Sequence, residues 1–228
     1  RWFPKDAAPI MPNDFIPAAE LSGDIVAIGE WVLDAVCAQI RNWKDELSLS
    51  IPVAVNMSPI QVGREETIAL IQETLRKYRL SPDMLEIEIT ETASLLNSSL
   101  FARQLMRIDE IGCRIAVDDF GIGYSSLLRF LDLPVSSLKI DQFFIAKINQ
   151  SQKADAICKS IITLARNLNI PVTAEGVETS SQLAAIEDLD CQYAQGFLIK
   201  EPVSAEDFMR WYANYRTSLS THISAYLN

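Results

Sequence analysis

Short apolar runs alternate with segments of helical periodicity along almost the whole of this 228-residue chain, and that alternation limits the folds open to it. Ile51-Pro-Val-Ala-Val55, Leu85-Glu-Ile-Glu-Ile89, Arg114–Asp118, Ser137–Ile140 and Pro171–Ala174 have the length and apolar character of buried strands, and Tyr193–Ile199 contains another. Between them, Ile68, Ile71, Leu75 and Tyr78 form a helical stripe closed by Ser81-Pro82. Phe101, Leu105, Ile108 and Ile111 form a second, with Gly112 at its C-terminal end, and Ile157, Ile161, Leu164 and Leu168 a third. Thr179-Ser-Ser-Gln182 is a capping box opening a helix through Leu189, and Ser204-Ala-Glu-Asp207 caps a last helix through Trp211 and Tyr215. Ile25, Ile28, Val32, Val36 and Ile40 predict a long first helix, and Ser125–Phe130 a short one.

Repeated strand–helix alternation implies a parallel sheet with helical crossovers. About seven such units, in a chain of barrel length, make a TIM-like (β/α)8 barrel the expected α/β fold, its first strand truncated or absent. A doubly wound open sheet is the competitor. No internal repeat or low-complexity linker divides the chain, so residues 1–228 read as one domain, a fragment of a longer protein.

Composition removes several functions. The single histidine, His222, lies in a polar tail, which argues against a histidine-activated nucleophile or a His/Cys zinc site. Cys37, Cys113, Cys158 and Cys191 are far apart with no C-x-x-C, as expected of buried thiols in a reducing, cytoplasmic setting. No apolar run is long enough to span a bilayer, although an upstream segment could anchor the full-length protein. A net charge of -10 argues against electrostatic binding to nucleic acid, and an anionic ligand would need cations to offset the field.

Asp118-Asp119 ends one strand and opens the glycine loop Phe120-Gly-Ile-Gly123. Adjacent carboxylates repel unless a positive group lies between them, so they either hold a cation or cap the next helix. Other polar residues sit at corresponding strand ends: Asn56, Glu88 with Glu91 just beyond, Lys139, Glu175 with Glu178, and Gln195. In a parallel barrel these ends share the face on which active sites are built. Oxygen donors without histidine or cysteine suit hard cations such as Mg2+ or Mn2+. Each residue also has a plainer reading. Asn56 suits a turn, Glu88 a solvated strand position, Lys139 a salt bridge to Asp141, Glu175 and Glu178 a helix cap, and Gln195 a rim amide. The coincidence of all of them at strand ends is what those readings leave unexplained. A dinucleotide loop at Gly121 and Gly123 is disfavoured, because Ser126 stands at the third glycine position.

In order, Asp14-Phe-Ile-Pro-Ala-Ala-Glu20, Val55-Asn-Met-Ser-Pro59, Glu86-Ile-Glu-Ile-Thr-Glu91, Asp118-Asp-Phe-Gly-Ile-Gly-Tyr-Ser-Ser-Leu127, Leu138-Lys-Ile-Asp141, Ala174-Glu-Gly-Val-Glu178 and Gln195-Gly196 resemble the motifs of the EAL domain family of bacterial cyclic di-GMP phosphodiesterases. The resemblance implies hydrolysis of cyclic di-GMP to linear pGpG with two Mg2+ or Mn2+ ions. It implies that Asn56, Glu88, Asp118, Asp119 and Glu175 hold the metals, and that Lys139 contacts the attacking water or the phosphate. It also implies that Arg1 and Gln195 face substrate, and that Glu91, Gly121, Gly123 and Glu178 position the loop. A homodimer and upstream sensory or GGDEF domains are implied partners. The chain starts at the Arg-Trp end of the opening motif, so the name-giving Glu-Ala-Leu, whose glutamate is a metal ligand in the family, is absent from it, and the enzyme reading is conditional on that glutamate upstream; Ile122 replaces the family's threonine, and Ser136 a frequent aspartate. A receptor that binds without cleaving is the alternative, and a Schiff-base lysine at Lys139 a remote one.

Overall fold

The computed structural model describes residues 2–5, 8–94, 99–123 and 132–226, with side chains to residue 215 except at Ser94. Arg1 and the helix expected over Ser125–Phe130 lie outside the described residues. Six strands form one sheet in sequential order: β1 (Val53–Asn56), β2 (Leu85–Thr90), β3 (Arg114–Phe120), β4 (Ser137–Ile140), β5 (Val172–Ala174) and β6 (Tyr193–Ala194). Every neighbouring pair is parallel. Among the described residues, helices cross between β1 and β2, β2 and β3, β4 and β5, and β5 and β6, so the sheet curls as a TIM-like barrel with six described strands rather than about seven units.

Burial explains the strand sequences. Leu85, Ile87, Ile89, Ile115, Val117, Leu138, Ile140 and Val172 are shut away from solvent. Strands covered on both faces need apolar residues at successive positions, as in Ile115-Ala-Val117. Burying each large aliphatic side chain contributes about 1.5–3 kcal/mol.

The helices follow their caps. Helix Glu66–Tyr78 buries Ile68, Ile71 and Leu75, and helix Ser99–Ile111 buries Phe101, Leu105 and Ile108 before Gly112 turns the chain at φ +97°. Helix Gln152–Asn167 buries Cys158, Ile161, Ile162 and Ala165, whereas Ile157 is partly exposed. Thr179 and Gln182 make both bonds of a capping box at helix Ser180–Asp188. The long helix Ile25–Leu47 is not the first. Helix Pro12–Ser22 precedes it, with Pro17 inside and only Ala19 buried, so its apolar stripe is too weak to read as a helix. Strand β6 stops at Ala194, well short of Ile199. Among the described residues, no helix is long and apolar enough to cross a membrane.

Candidate active site

The parallel register sets one residue from each strand at the same rim. Asn56 pairs in register with Glu88, and Thr90 with Asp118; on the other side Lys139 pairs with Thr173, one residue before Ala174 and two before Glu175. At the end of β3 the pairing with β4 shifts between Val117 and Phe120. Asp119 adopts φ +56°, a left-handed conformation that aspartate tolerates better than most residues. The irregularity puts Asp118 and Asp119 on the rim together, where regular pleating would send them to opposite faces.

Lys139 stands at the centre. Its Nζ lies 2.7 Å from Glu88 Oε1, 2.6 Å from Glu175 Oε1 and 3.6 Å from Asp118 Oδ1, and its side chain is 9% exposed. Asn56 Nδ2 donates to the second oxygen of Glu88 at 2.9 Å. Two of these partners, Asp118 and Glu175, also form a metal-sized cluster with Asp119, each offering an oxygen within 4.8 Å of the others. All are hard oxygen donors, so the residues present fit a divalent cation such as Mg2+ or Mn2+.

Electrostatics agree with the geometry. Burial raises the pKa of Glu88, against the pull of Lys139. Burial and the neighbouring carboxylates, again against Lys139, push Glu175 up to about 7. Burial, Asp118 and Asp141 push Asp119 up to about 6. Burial opposes the charge of Lys139, but Glu88, Asp118 and Glu175 outweigh it and raise its pKa, so the ammonium stays protonated. A Schiff-base nucleophile needs the opposite shift, so these surroundings give the lysine-enzyme reading no support. Nor does Lys139 need Asp141 as its partner: Asp141 accepts the Phe143 N–H at 2.6 Å and caps helix Gln142–Ile145.

The glycine loop is tied from below. Glu91 is buried, and its Oε2 accepts from the N–H groups of Gly121 at 2.7 Å and Gly123 at 3.1 Å. A side chain at Gly123 would meet the Glu91 carboxylate at 2.8 Å. Gly121, at φ +107°, has no space for one beside Phe144. Ile122 at the loop tip is 58% exposed. Gln195 directly follows β6, its N–H donating to the carbonyl oxygen of Ala174, the residue before Glu175, at 2.8 Å. Glu178 is exposed and stands outside the carboxylate–lysine cluster, its N–H donating to Gln182 at the start of the next helix.

A cleft of about 850 Å3 runs from Asn56, Glu88 and Thr90 to Asn13, Ile16, Pro17 and Glu20. That volume suits a ligand of dinucleotide size. The cleft wall from Pro12–Ser22 is the part of the site that helical periodicity misses; Pro12 at the helix start and Asp14 in its first turn are the signals present.

Comparison with known proteins converges on one family. The family model described as "EAL domain" matches residues 1–202. The chain is 39% identical over 197 residues to the signaling protein YkoW of Bacillus subtilis (strain 168), covering 86% of this chain and 24% of that protein. It is 33% identical over 215 residues to the cyclic di-GMP phosphodiesterase PdeR of Escherichia coli (strain K12), covering 94% of this chain and 32% of that protein. Among solved structures, the PaMucR phosphodiesterase in complex with c-di-GMP superposes with a TM-score of 0.87 at 38% identity, covering 91% of this chain and 84% of that one. The chain spans about a quarter of the length of the first curated relatives it matches.

Proposed function

The chain belongs to the EAL domain family, and from that premise we propose that it binds cyclic di-GMP and, within the intact protein, hydrolyses it to linear pGpG using two divalent ions, Mg2+ or Mn2+. The observation that carries this reading is the buried Lys139 held between Glu88 and Glu175 beside Asp118. A cyclic dinucleotide carries two phosphodiester charges, and an acidic rim accepts them only with added positive charge.

Asn56, Glu88, Asp118, Asp119 and Glu175 would hold the ions. Bound there, divalent metal supplies Lewis acidity and makes water a competent nucleophile at neutral pH. Lys139 would place a permanent ammonium where the phosphoryl oxygens gain negative charge. Its dry surroundings make that charge worth more than it would be in water. Glu175 would serve both as ligand and as a catalytic carboxylate, with Oε2 the oxygen left outside its ion pair with Lys139. The attack breaks one P–O3′ bond, and the freed 3′ oxygen takes a proton, leaving a 5′-phosphate. Glu91 would keep Gly121 and Gly123 in place under Asp118 and Asp119. Gln195 and Arg1 would face substrate, and Glu178 would help to position its loop.

Residues 1–228 would act as one domain, cytoplasmic, paired as a homodimer and controlled by upstream sensory or GGDEF domains. A second reading, a receptor without turnover, draws on the exposed Ile122 where the family pattern has threonine. Calorimetry with cyclic di-GMP in Ca2+, followed by chromatography after exchange into Mg2+, separates the readings. Calcium should permit binding and block turnover, because its looser coordination holds the reacting groups poorly. Binding followed by pGpG supports the enzyme, binding with no product supports the receptor, and no binding in either metal contradicts both.

A further inference from the structure

Three neighbouring rim loops interlock through two glycines. Gly176 directly follows Glu175 and has φ +70°; a Cβ there would lie 2.5 Å from Gln142 Cβ and 3.2 Å from its Cα. Gln142 opens the short helix after β4, three residues beyond Lys139. On the other side, a Cβ at Gly196 would lie 2.2 Å from the carbonyl oxygen of Val177 and 2.3 Å from its nitrogen. Val177 is fully buried. Its N–H donates to Gln195 O at 3.0 Å, and its own carbonyl accepts from Leu198 N–H at 3.0 Å. Glu175 N–H donates to Ile140 O at 3.1 Å, which completes the chain of contacts from β4 through β5 to β6. The obstacles at Gly196 are backbone atoms, which cannot turn aside as a flexible side chain can.

We propose that Gly176 and Gly196 are positioning residues of the rim. They let the Glu175–Val177 loop lie flat between the Gln142 turn and the Gln195–Gly196 turn. Glu175 is thereby held on Lys139, and Gln195 is fixed beside it. The catalytic consequence rests on the phosphodiesterase reading above; the consequence for metal binding needs only the Asp118, Asp119 and Glu175 cluster. An added methyl at Gly176 pushes the Glu175 loop off Gln142. One at Gly196 separates Val177 from the β6 turn and moves Gln195.

The test uses the intact protein with Gly176→Ala, Gly196→Ala and the double variant Gly176→Ala/Gln142→Gly, which removes the Cβ that the new methyl would strike. Gly112→Ala is the control: it has φ +97° and an added Cβ would meet Pro82 only at an ordinary 3.5 Å, so it strains the backbone before β3, at the far end of the strand from the rim. A displacement of about 1 Å at a reacting group costs on the order of 100-fold in rate, and Gly176→Ala should show a kcat loss of that size with Mn2+ binding weakened about tenfold. Gln142→Gly in the same chain should restore most of the Mn2+ affinity. Gly196→Ala should leave Mn2+ affinity unchanged, raise KM, and speed hydrogen exchange at the Val177 and Leu198 amides while that of Ile87 stays slow. Gly112→Ala should lower the melting temperature and change none of these. Wild-type Mn2+ affinity, KM and exchange rates in both rim variants would overturn the proposal. So would equal losses in Gly112→Ala, or no rescue by Gln142→Gly. If the wild-type protein binds Mn2+ but never yields pGpG, the function reading falls, and the Mn2+ and exchange ratios still decide the interlock.

Discussion

Two lysines in this fold make near-identical contacts in opposite surroundings. Lys77 meets Asp34 at 2.5 Å between two helices, with the side chains 58% and 46% exposed. Lys139 meets Glu88 at 2.7 Å and Glu175 at 2.6 Å at the barrel rim, with side chains no more than 16% exposed. Distance does not separate them, but water does. Around Lys77 solvent screens the pair, and ordering two long side chains offsets much of the attraction. Around Lys139 desolvation costs every charge: the close carboxylates keep the ammonium protonated, while burial pushes Glu88 and Glu175 toward their neutral forms against its pull. Removing one partner from such a cluster leaves buried charge uncompensated, and that sensitivity suits a site whose charge is meant to be redistributed by a ligand.

The widest separation between the two regions should come from substitution. Glu175→Ala and Lys139→Met should each lower turnover by about 100- to 1,000-fold, the range seen when a group aimed at transition-state charge is removed. Circular dichroism should show both variants folded. For Lys139→Met, which removes the charge that lowers both groups, Glu175 and Asp119 should ionise above their wild-type values of about 7 and about 6, and the melting temperature should fall as pH rises from the acid range through those raised values. The sign follows from raised folded-state values: the protonated carboxyls tolerate each other, and stability is lost as they ionise. A pH-independent melting temperature in that variant would undercut the assigned burial of the cluster.

The next effect is on metal. Protons compete with a cation for Glu175, so Mn2+ affinity should weaken about tenfold between about pH 8 and about pH 6. Calorimetry across that range checks it, and a flat profile would show that Glu175 is not a ligand. A smaller change should follow Glu91→Ala, which deprives the Gly121 and Gly123 N–H groups of their buried acceptor. A group left so costs about 1–3 kcal/mol, visible as a lower denaturation midpoint, with a modest loss of turnover. The smallest effect belongs to Lys77→Met, which should change neither melting temperature nor turnover. A large loss there would break the contrast from the exposed side.

The rim was more legible in the sequence than its wiring. Asn56, Glu88, Asp118, Asp119, Lys139 and Glu175 could be aligned at strand ends, because parallel strands of buried apolar residues reveal both their direction and their termini. That Lys139 reaches Glu88 and Glu175 rather than Asp141 was not legible. The first two lie on other strands and meet it only through sheet register, whereas Asp141 is near in sequence but turns to cap a helix. The left-handed Asp119 is hidden in the same way, since the β3–β4 irregularity depends on both strands. Helix Pro12–Ser22 escaped because it buries almost nothing, and the place of β6 within Tyr193–Ile199 was not legible because Phe197, Leu198 and Ile199 are apolar yet exposed.

The account turns on whether this rim does metal-dependent chemistry on a cyclic dinucleotide. Chromatography of the products formed from cyclic di-GMP by the intact protein, with Mg2+ or Mn2+ and again after chelation, tests that most directly. The account predicts linear pGpG with either metal, none after chelation, and recovery when metal is restored. Undiminished turnover without divalent metal would contradict it.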